Sequence, residues 1–103
     1  MTGMRKIVTV CGSLRFLTEM QQAAELLALE KGWVVLTPIP HTLERELTPQ
    51  EIRTLGDIHK AKIDLSDAIF VVNVGGYVGE AVKQEIEYAK KQGKEVLFAE
   101  TDF

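Results

Sequence analysis

Residues 75–93, GGYVGEAVKQEIEYAKKQG, join a glycine-rich turn to a charged helical pattern, and one carboxylate there has no obvious solvent-facing role. At about 100° per residue, Val82, Ile86 and Ala89 form the apolar stripe of the helix. Glu80 has Lys83 at i+3, and Glu87 has Lys90 and Lys91 at i+3 and i+4, spacings that allow exposed ion pairs. Glu85 has no cation at i±3 or i±4. It falls about 60° from the centre of the stripe, in line with Ala81 and Ala89. A half-buried carboxylate between two small residues, facing a cleft, suits nucleophilic or acid–base chemistry. The plainer alternative is an ion pair with a lysine or arginine from elsewhere in the chain or from a second subunit.

A second candidate lies in VCGSLRF (10–16). Gly12 ends an apolar run, and Ser13 opens a helical pattern whose free N–H groups would favour an anion. The Ser13 hydroxyl and the forked Arg15 guanidinium would both suit phosphate. The competing reading makes Ser13 a helix cap and Arg15 a solvated side chain. No P-loop lysine signature is present. Cys11 and Arg15 are separated by only three residues, too short a loop to wrap a phosphate around a thiolate nucleophile. Cys11 therefore reads as a small buried hydrophobe at a strand end.

The elements that must position these residues follow from periodicity. KIVTVCG (6–12) reads as a buried strand, and 13–32 as a helix with Gly32 as its C′ residue. WVVLTPIP (33–40) is a second strand stopped by two prolines, and HTLERELT (41–48) a surface loop. Thr48-Pro49-Gln50-Glu51 opens a second helix with a capping box and proline at N1. That helix runs to about Leu65, with Ile52, Leu55, Ile58 or His59, Lys62 and Ile63 along one side. DAIFVVNV (67–74) is a third strand. After the charged helix and Gly93, EVLFA (95–99) is a fourth.

Nearly continuous apolar strands alternating with helices predict a single α/β domain over residues 1–103. The sheet should be doubly wound and parallel, with strand order 2-1-3-4 and helices on both faces. In such a sheet ligands bind beyond the strand carboxyl ends, where strand order reverses, here between strands one and three. The loops meeting there carry Gly12, Ser13 and Arg15 on one side and Gly76, Gly79 and Glu80 on the other. These are the substrate-binding candidates. Asn73 ends strand three where a receiver-type phosphoacceptor would need an aspartate.

Composition narrows the function class. A net charge of −3 with scattered basic residues argues against a nucleic-acid polymer as partner. One cysteine excludes an intrachain disulfide and a cysteine-rich zinc site, and His41 and His59 are far apart in sequence, so no metal is expected. No apolar run is long enough to span a bilayer, and MTGMRKIVTVCG reads as a strand rather than a signal peptide. These features predict a cytoplasmic protein with no membrane partner. A domain of 103 residues leaves its cleft open, which predicts a homodimer or higher homo-oligomer closed by Trp33 or Tyr77.

VCGSLRF (10–16), IDLSDAIFVVN (63–73) and GEAVKQEIEYAKKQGKEV (79–96) resemble the nucleoside 2-deoxyribosyltransferase family. The strongest likeness is Glu85 in a Glu-x-x-x-Ala setting, followed by Gly93-Lys94-Glu95-Val96. The resemblance implies a Rossmann-like fold, no cofactor, and Glu85 as the nucleophile that attacks the anomeric carbon. Gly12-Ser13-Leu14-Arg15 is closest to the branch that hydrolyses deoxynucleoside 5′-monophosphates, in which the serine and arginine hold the phosphate. An ungapped count back from Asp67 puts His59 where the family carries an aspartate, with Asp57 and Asp64 nearby. Asp64, Asp57 or His59 would then bind sugar hydroxyls or assist proton transfer. Gly79 stands where the family often has an aspartate, with Glu80 beside it. The expected function is an N-glycosidic hydrolase or transferase acting on small nucleotides or nucleosides. The alternative is a non-catalytic nucleotide-binding or regulatory module of the same fold.

Overall fold

Short β-branched runs separated by helical periods have one economical arrangement, a parallel sheet whose crossovers are the helices. The computed structural model, which describes residues 4–101, has this arrangement. In chain order it contains β1 (Ile7–Gly12), α1 (Leu17–Leu26), β2 (Val34–Leu36), α2 (Pro49–Leu65), β3 (Ala68–Val72), α3 (Glu80–Lys91) and β4 (Glu95–Phe98). The four strands are parallel in the order β2-β1-β3-β4. Val8 to Gly12 pair in register with Ala68 to Val72, so β1 and β3 end level with one another.

Strand alternation divides the core into two layers. Val10 and Val72 face one side, where they meet Met20, with Phe16, Leu17, Ala23 and Ala24 packed around them. Cys11, Ile69 and Val71 face the other side and meet Ile63 of α2 together with Val82 and Ala89 of α3. One helix therefore covers one face and two helices cover the other. This is the doubly wound Rossmann-like sheet that the strand pattern predicts. Gly12 is where the backbone and α1 come closest: a Cβ there would stand 2.9 Å from the Met20 sulfur and 3.2 Å from the Val72 carbonyl oxygen.

The first helix departs from a uniform 13–32 span. A 3-10 turn (Leu14–Phe16) precedes α1, and a π-helical stretch (Leu27–Lys31) follows it up to Gly32, which is left-handed at φ 70°. Phe16, at φ −106° and ψ 27°, breaks the helical path between the turn and α1. In the π-helical stretch Leu27 is buried while Leu29 is 75% exposed. The second strand stops at Leu36 rather than Pro40, because prolines 38 and 40 have no N–H to give a ladder.

The start of α2 is as the sequence predicts. Thr48 Oγ1 accepts from the Glu51 N–H at 3.1 Å, and the Glu51 carboxylate accepts from the Thr48 N–H at 2.9 Å. Arg45 adds a two-pronged contact to the same carboxylate at 2.8 and 2.9 Å. The Arg45 guanidinium and the Thr48 N–H hold the Glu51 carboxyl down at about 2. Just past the carboxyl end of β3, the Asn73 side chain and the Glu100 backbone exchange hydrogen bonds of 2.8 and 2.9 Å. The Glu100 carboxylate also accepts from the Gly75 N–H, holding the turn in which Gly75 and Gly76 take φ of 63° and 83°. No helix among the described residues is long and apolar enough to cross a membrane.

Candidate functional site

Beyond the carboxyl ends of β1 and β3 lies a cavity of about 1090 Å³. Its position follows from topology: β1 sends the chain left to α1 and β3 sends it right to α3, which opens a crevice between the two loops. Gly12 and Ser13 form one edge, and Gly79, Glu80 and Ala81 form another. His59 and Glu85 lie at its base, where α2 and α3 come together. A second, more polar groove of about 640 Å³ runs along the outer seam of α2 and α3 and also reaches His59 and Glu85. His59 and Glu85, with Gly56, Glu80 and Ala81, thus border both spaces.

Glu85 has a partner that no wheel of its own helix could show. His59 Nε2, from the middle of α2, stands 3.5 Å from Glu85 Oε1. The same nitrogen lies 3.4 Å from Cys11 Sγ at the end of β1. The Glu85 side chain is 25% exposed and that of His59 12%, whereas Cys11 is fully buried. Burial, then the charge and hydrogen bonding of Glu85, push the Cys11 thiol well above its ordinary range, so it carries its proton and is no nucleophile. No lysine or arginine pairs with Glu85 among the described residues; its close neighbour is the His59 imidazole. Of the two alanines in line with Glu85, Ala81 lines the cavity, but Ala89 is fully buried in the core and opens no space beside the carboxylate.

The other candidates are distributed unevenly. Gly12, Ser13, His59, Gly79 and Glu80 line the cavity with Glu85, whereas Arg15, Asp64 and Gly76 do not. Ser13 Oγ accepts from the Arg15 N–H at 3.4 Å, a weak cap of the 3-10 turn. The Arg15 guanidinium sits 4.2 Å above the Tyr77 ring, and that ring meets Phe16 edge-on at 5.9 Å. Tyr77 borders the cavity, so Arg15 stands at its rim on an aromatic support. Asp64 accepts from the Tyr88 hydroxyl at 2.6 Å, which raises the Tyr88 phenol above its usual range. Asp57 borders the outer groove only. Trp33 precedes β2 at the opposite end of the sheet from the crevice, beneath Lys6 and Lys31.

Three features of the site are hidden from local periodicity. The 41–48 segment is an exposed loop, as expected, and it also supplies His41, Arg45 and Leu47 to the cavity wall. It is braced at both ends: His41 Nε2 bonds the Arg45 carbonyl at 2.8 Å, and Arg45 grips Glu51. Lys62 also lines the cavity, with Nζ donating to the Thr37 carbonyl at 2.7 Å. The two prolines and the capping box were the available signals, since together they tie the loop between a strand end and a helix start. Finally, the ion pairs foreseen between Glu80 and Lys83, and between Glu87 and Lys90 or Lys91, do not form. Such exposed contacts are worth only about 0.3–0.5 kcal/mol net of the entropy of holding two long side chains, too little to fix their geometry.

No protein-family model matches the chain, and no curated protein matches it.

Proposed function

We propose that the protein cleaves the N-glycosidic bond of a (deoxy)nucleoside 5′-monophosphate or nucleoside, with Glu85 as the nucleophile. One observation carries this reading: a part-buried carboxylate at the base of a large cavity at the sheet's switch point, backed by an imidazole 3.5 Å away. The resemblance of the Glu85 segment and of Gly12-Ser13-Leu14-Arg15 to deoxyribosyltransferases adds the substrate class.

The chemistry is within the reach of these groups. Departure of a base leaves positive charge on the anomeric carbon, which a facing carboxylate stabilises before bonding to it. A Glu85 oxygen forms the ester bond to that carbon as the carbon–nitrogen bond breaks. The bonding pair leaves with the base, which takes up a proton. Water or a second base then attacks the same carbon and releases Glu85. In this reading His59, 3.5 Å away, holds Glu85 oriented and exchanges the proton. Ser13 and, from the Tyr77 rim, Arg15 would receive the 5′-phosphate.

A second reading, a nucleotide-binding module without turnover, is favoured by the position of Asp64, which is bonded to Tyr88 and absent from the cavity lining. Incubation with a panel of nucleoside monophosphates and nucleosides, with free base measured by chromatography, separates the two. Base release that disappears in Glu85→Gln supports the enzyme, and binding with no base release supports the module. The expected homo-oligomer and cytoplasmic setting belong to the same proposal.

A further inference from the structure

Cys11, His59 and Glu85 come from three rigid elements, β1, α2 and α3, and place one sulfur, one nitrogen and one oxygen within 4.8 Å of one another. The geometry points to a metal-binding site: this triad takes a zinc-type divalent ion, with its fourth position open to the cavity. The inference stands apart from the nucleotide reading and predicts regulation of the same carboxylate.

Distances carry the argument. Ligands about 2.3 Å (sulfur) and 2.0–2.1 Å (nitrogen, oxygen) from a tetrahedral zinc ion lie roughly 3.3–3.6 Å from each other. The sulfur–nitrogen and nitrogen–oxygen separations here are 3.4 and 3.5 Å. All three donor atoms lie within 4.8 Å of one another, and a side-chain adjustment that brings the sulfur and the carboxylate oxygen into the tetrahedral range encloses an ion. Without one, the Cys11 thiol stands 4.0 Å from the Thr9 carbonyl oxygen and 3.4 Å from His59 Nε2, which in turn faces the Glu85 carboxylate at 3.5 Å.

Ligand chemistry narrows the ion. A thiolate, an imidazole and a carboxylate form a mixed set that favours zinc and its neighbours over magnesium or calcium, which require oxygen ligands. Three protein ligands leave one position for water, and His59 and Glu85 both border the cavity through which ion and water arrive. Binding releases the thiol proton to solvent as the metal–sulfur bond forms, and His59 ligates through Nε2 with its ring proton on Nδ1. Glu85, once a ligand, is withdrawn from attack on a sugar, so the ion and the glycosidic substrate exclude one another.

Cobalt(II) serves as the spectroscopic probe. Titration of the purified, reduced protein should give one equivalent bound, with a near-ultraviolet thiolate-to-cobalt charge-transfer band that zinc bleaches. Cys11→Ser should lose the band. Because Cys11 is a core residue and its variant could fail to fold, His59→Gln and Glu85→Gln provide the parallel test. Each should keep the native circular dichroism and weaken cobalt binding by at least about 100-fold, more than loss of an outer-shell partner costs. Absence of the band in the parent protein, or equal cobalt affinity in the parent, His59→Gln and Glu85→Gln proteins, overturns the site. Neither readout requires turnover, so a protein that binds cobalt but releases no base overturns the glycosidic reading alone.

Discussion

His59 Nε2 and Glu85 Oε1 stand 3.5 Å apart across the seam of α2 and α3, two helices linked only through β3 and a glycine turn. Both residues border the cavity and the outer groove. The contact also makes each residue a test of the other's role.

If Glu85 is the nucleophile, Glu85→Gln should lower base release on the order of 10³-fold or more while leaving nucleotide affinity and thermal stability near those of the parent. His59→Gln should lower turnover by about 10²–10⁴-fold if it exchanges the proton. Glu87→Ala and Asp64→Asn, outside the cavity lining, should leave turnover close to the parent value. Steady-state kinetics with thermal melts as the folding control provide the check. Retained turnover in Glu85→Gln counts against the mechanism.

Arg15 on Tyr77 bears on phosphate recognition. If it swings from the ring to a 5′-phosphate, nucleoside monophosphates should bind more tightly than nucleosides by about 1.5–3 kcal/mol, a tenfold to hundredfold difference. Calorimetry should show that difference vanish in Arg15→Ala. If it persists there and vanishes in Lys62→Ala, the phosphate lies deeper, against α2.

The capping box should report on acid stability. Thr48→Ala removes an N-cap oxygen and should cost about 1 kcal/mol in urea unfolding. Glu51 has a folded value of about 2 against an ordinary 4.5, so its contribution is complete above 4.5 and declines as pH falls toward 2. Glu51→Gln should therefore flatten the stability profile across that acid range and change little of its shape near neutrality.

Ile63 is fully buried where α2 meets Cys11 and Val71. Ile63→Ala should cost about 2–5 kcal/mol through lost burial and the cavity left behind. A smaller loss would mean that α2 can settle onto the sheet, and the His59–Glu85 distance would then change with it.

Assembly has its own measurement. Leu26, Leu29, Ile52, Ile58 and Leu65 are exposed, and a symmetric homo-oligomer would give such side chains cover. Sedimentation at micromolar concentration should show a species larger than the 11.5 kDa chain. A monomer removes the need for a partner at the cavity mouth and leaves Tyr77 as a rim residue of a single subunit.

Much of the architecture was legible because it depends on short-range periodicity. Uninterrupted apolar runs such as Ala68–Val72 can be satisfied only by burial on both faces, which forces parallel pairing and helical crossovers. Thr48, Pro49 and Glu51 define a helix start because their hydrogen bonds lie within one turn. Gly32 and Gly93 end helices because their backbones become left-handed, at φ 70° and 73°. The switch point, and hence the place of the crevice, follows from strand order alone.

What the chain order left open was which side chains meet. Cys11, His59 and Glu85 are separated by 48 and 26 residues, and no local pattern encodes a contact made by a strand end and two helices. Arg15 was legible as a cation near an anion site, but the nearby aromatic face of Tyr77 holds it at the rim. Asp64 and His59 lie five residues apart on one helix, yet rotation about its axis turns His59 to the cavity and Asp64 to Tyr88. Periodicity and capping act through neighbours in the chain, so the sequence by itself determined the sheet, its order and the position of the crevice. The partners of Glu85 and the loop that walls the cavity depend on how α2 and α3 rotate and settle against the sheet, and packing between distant segments decides that only in the folded state.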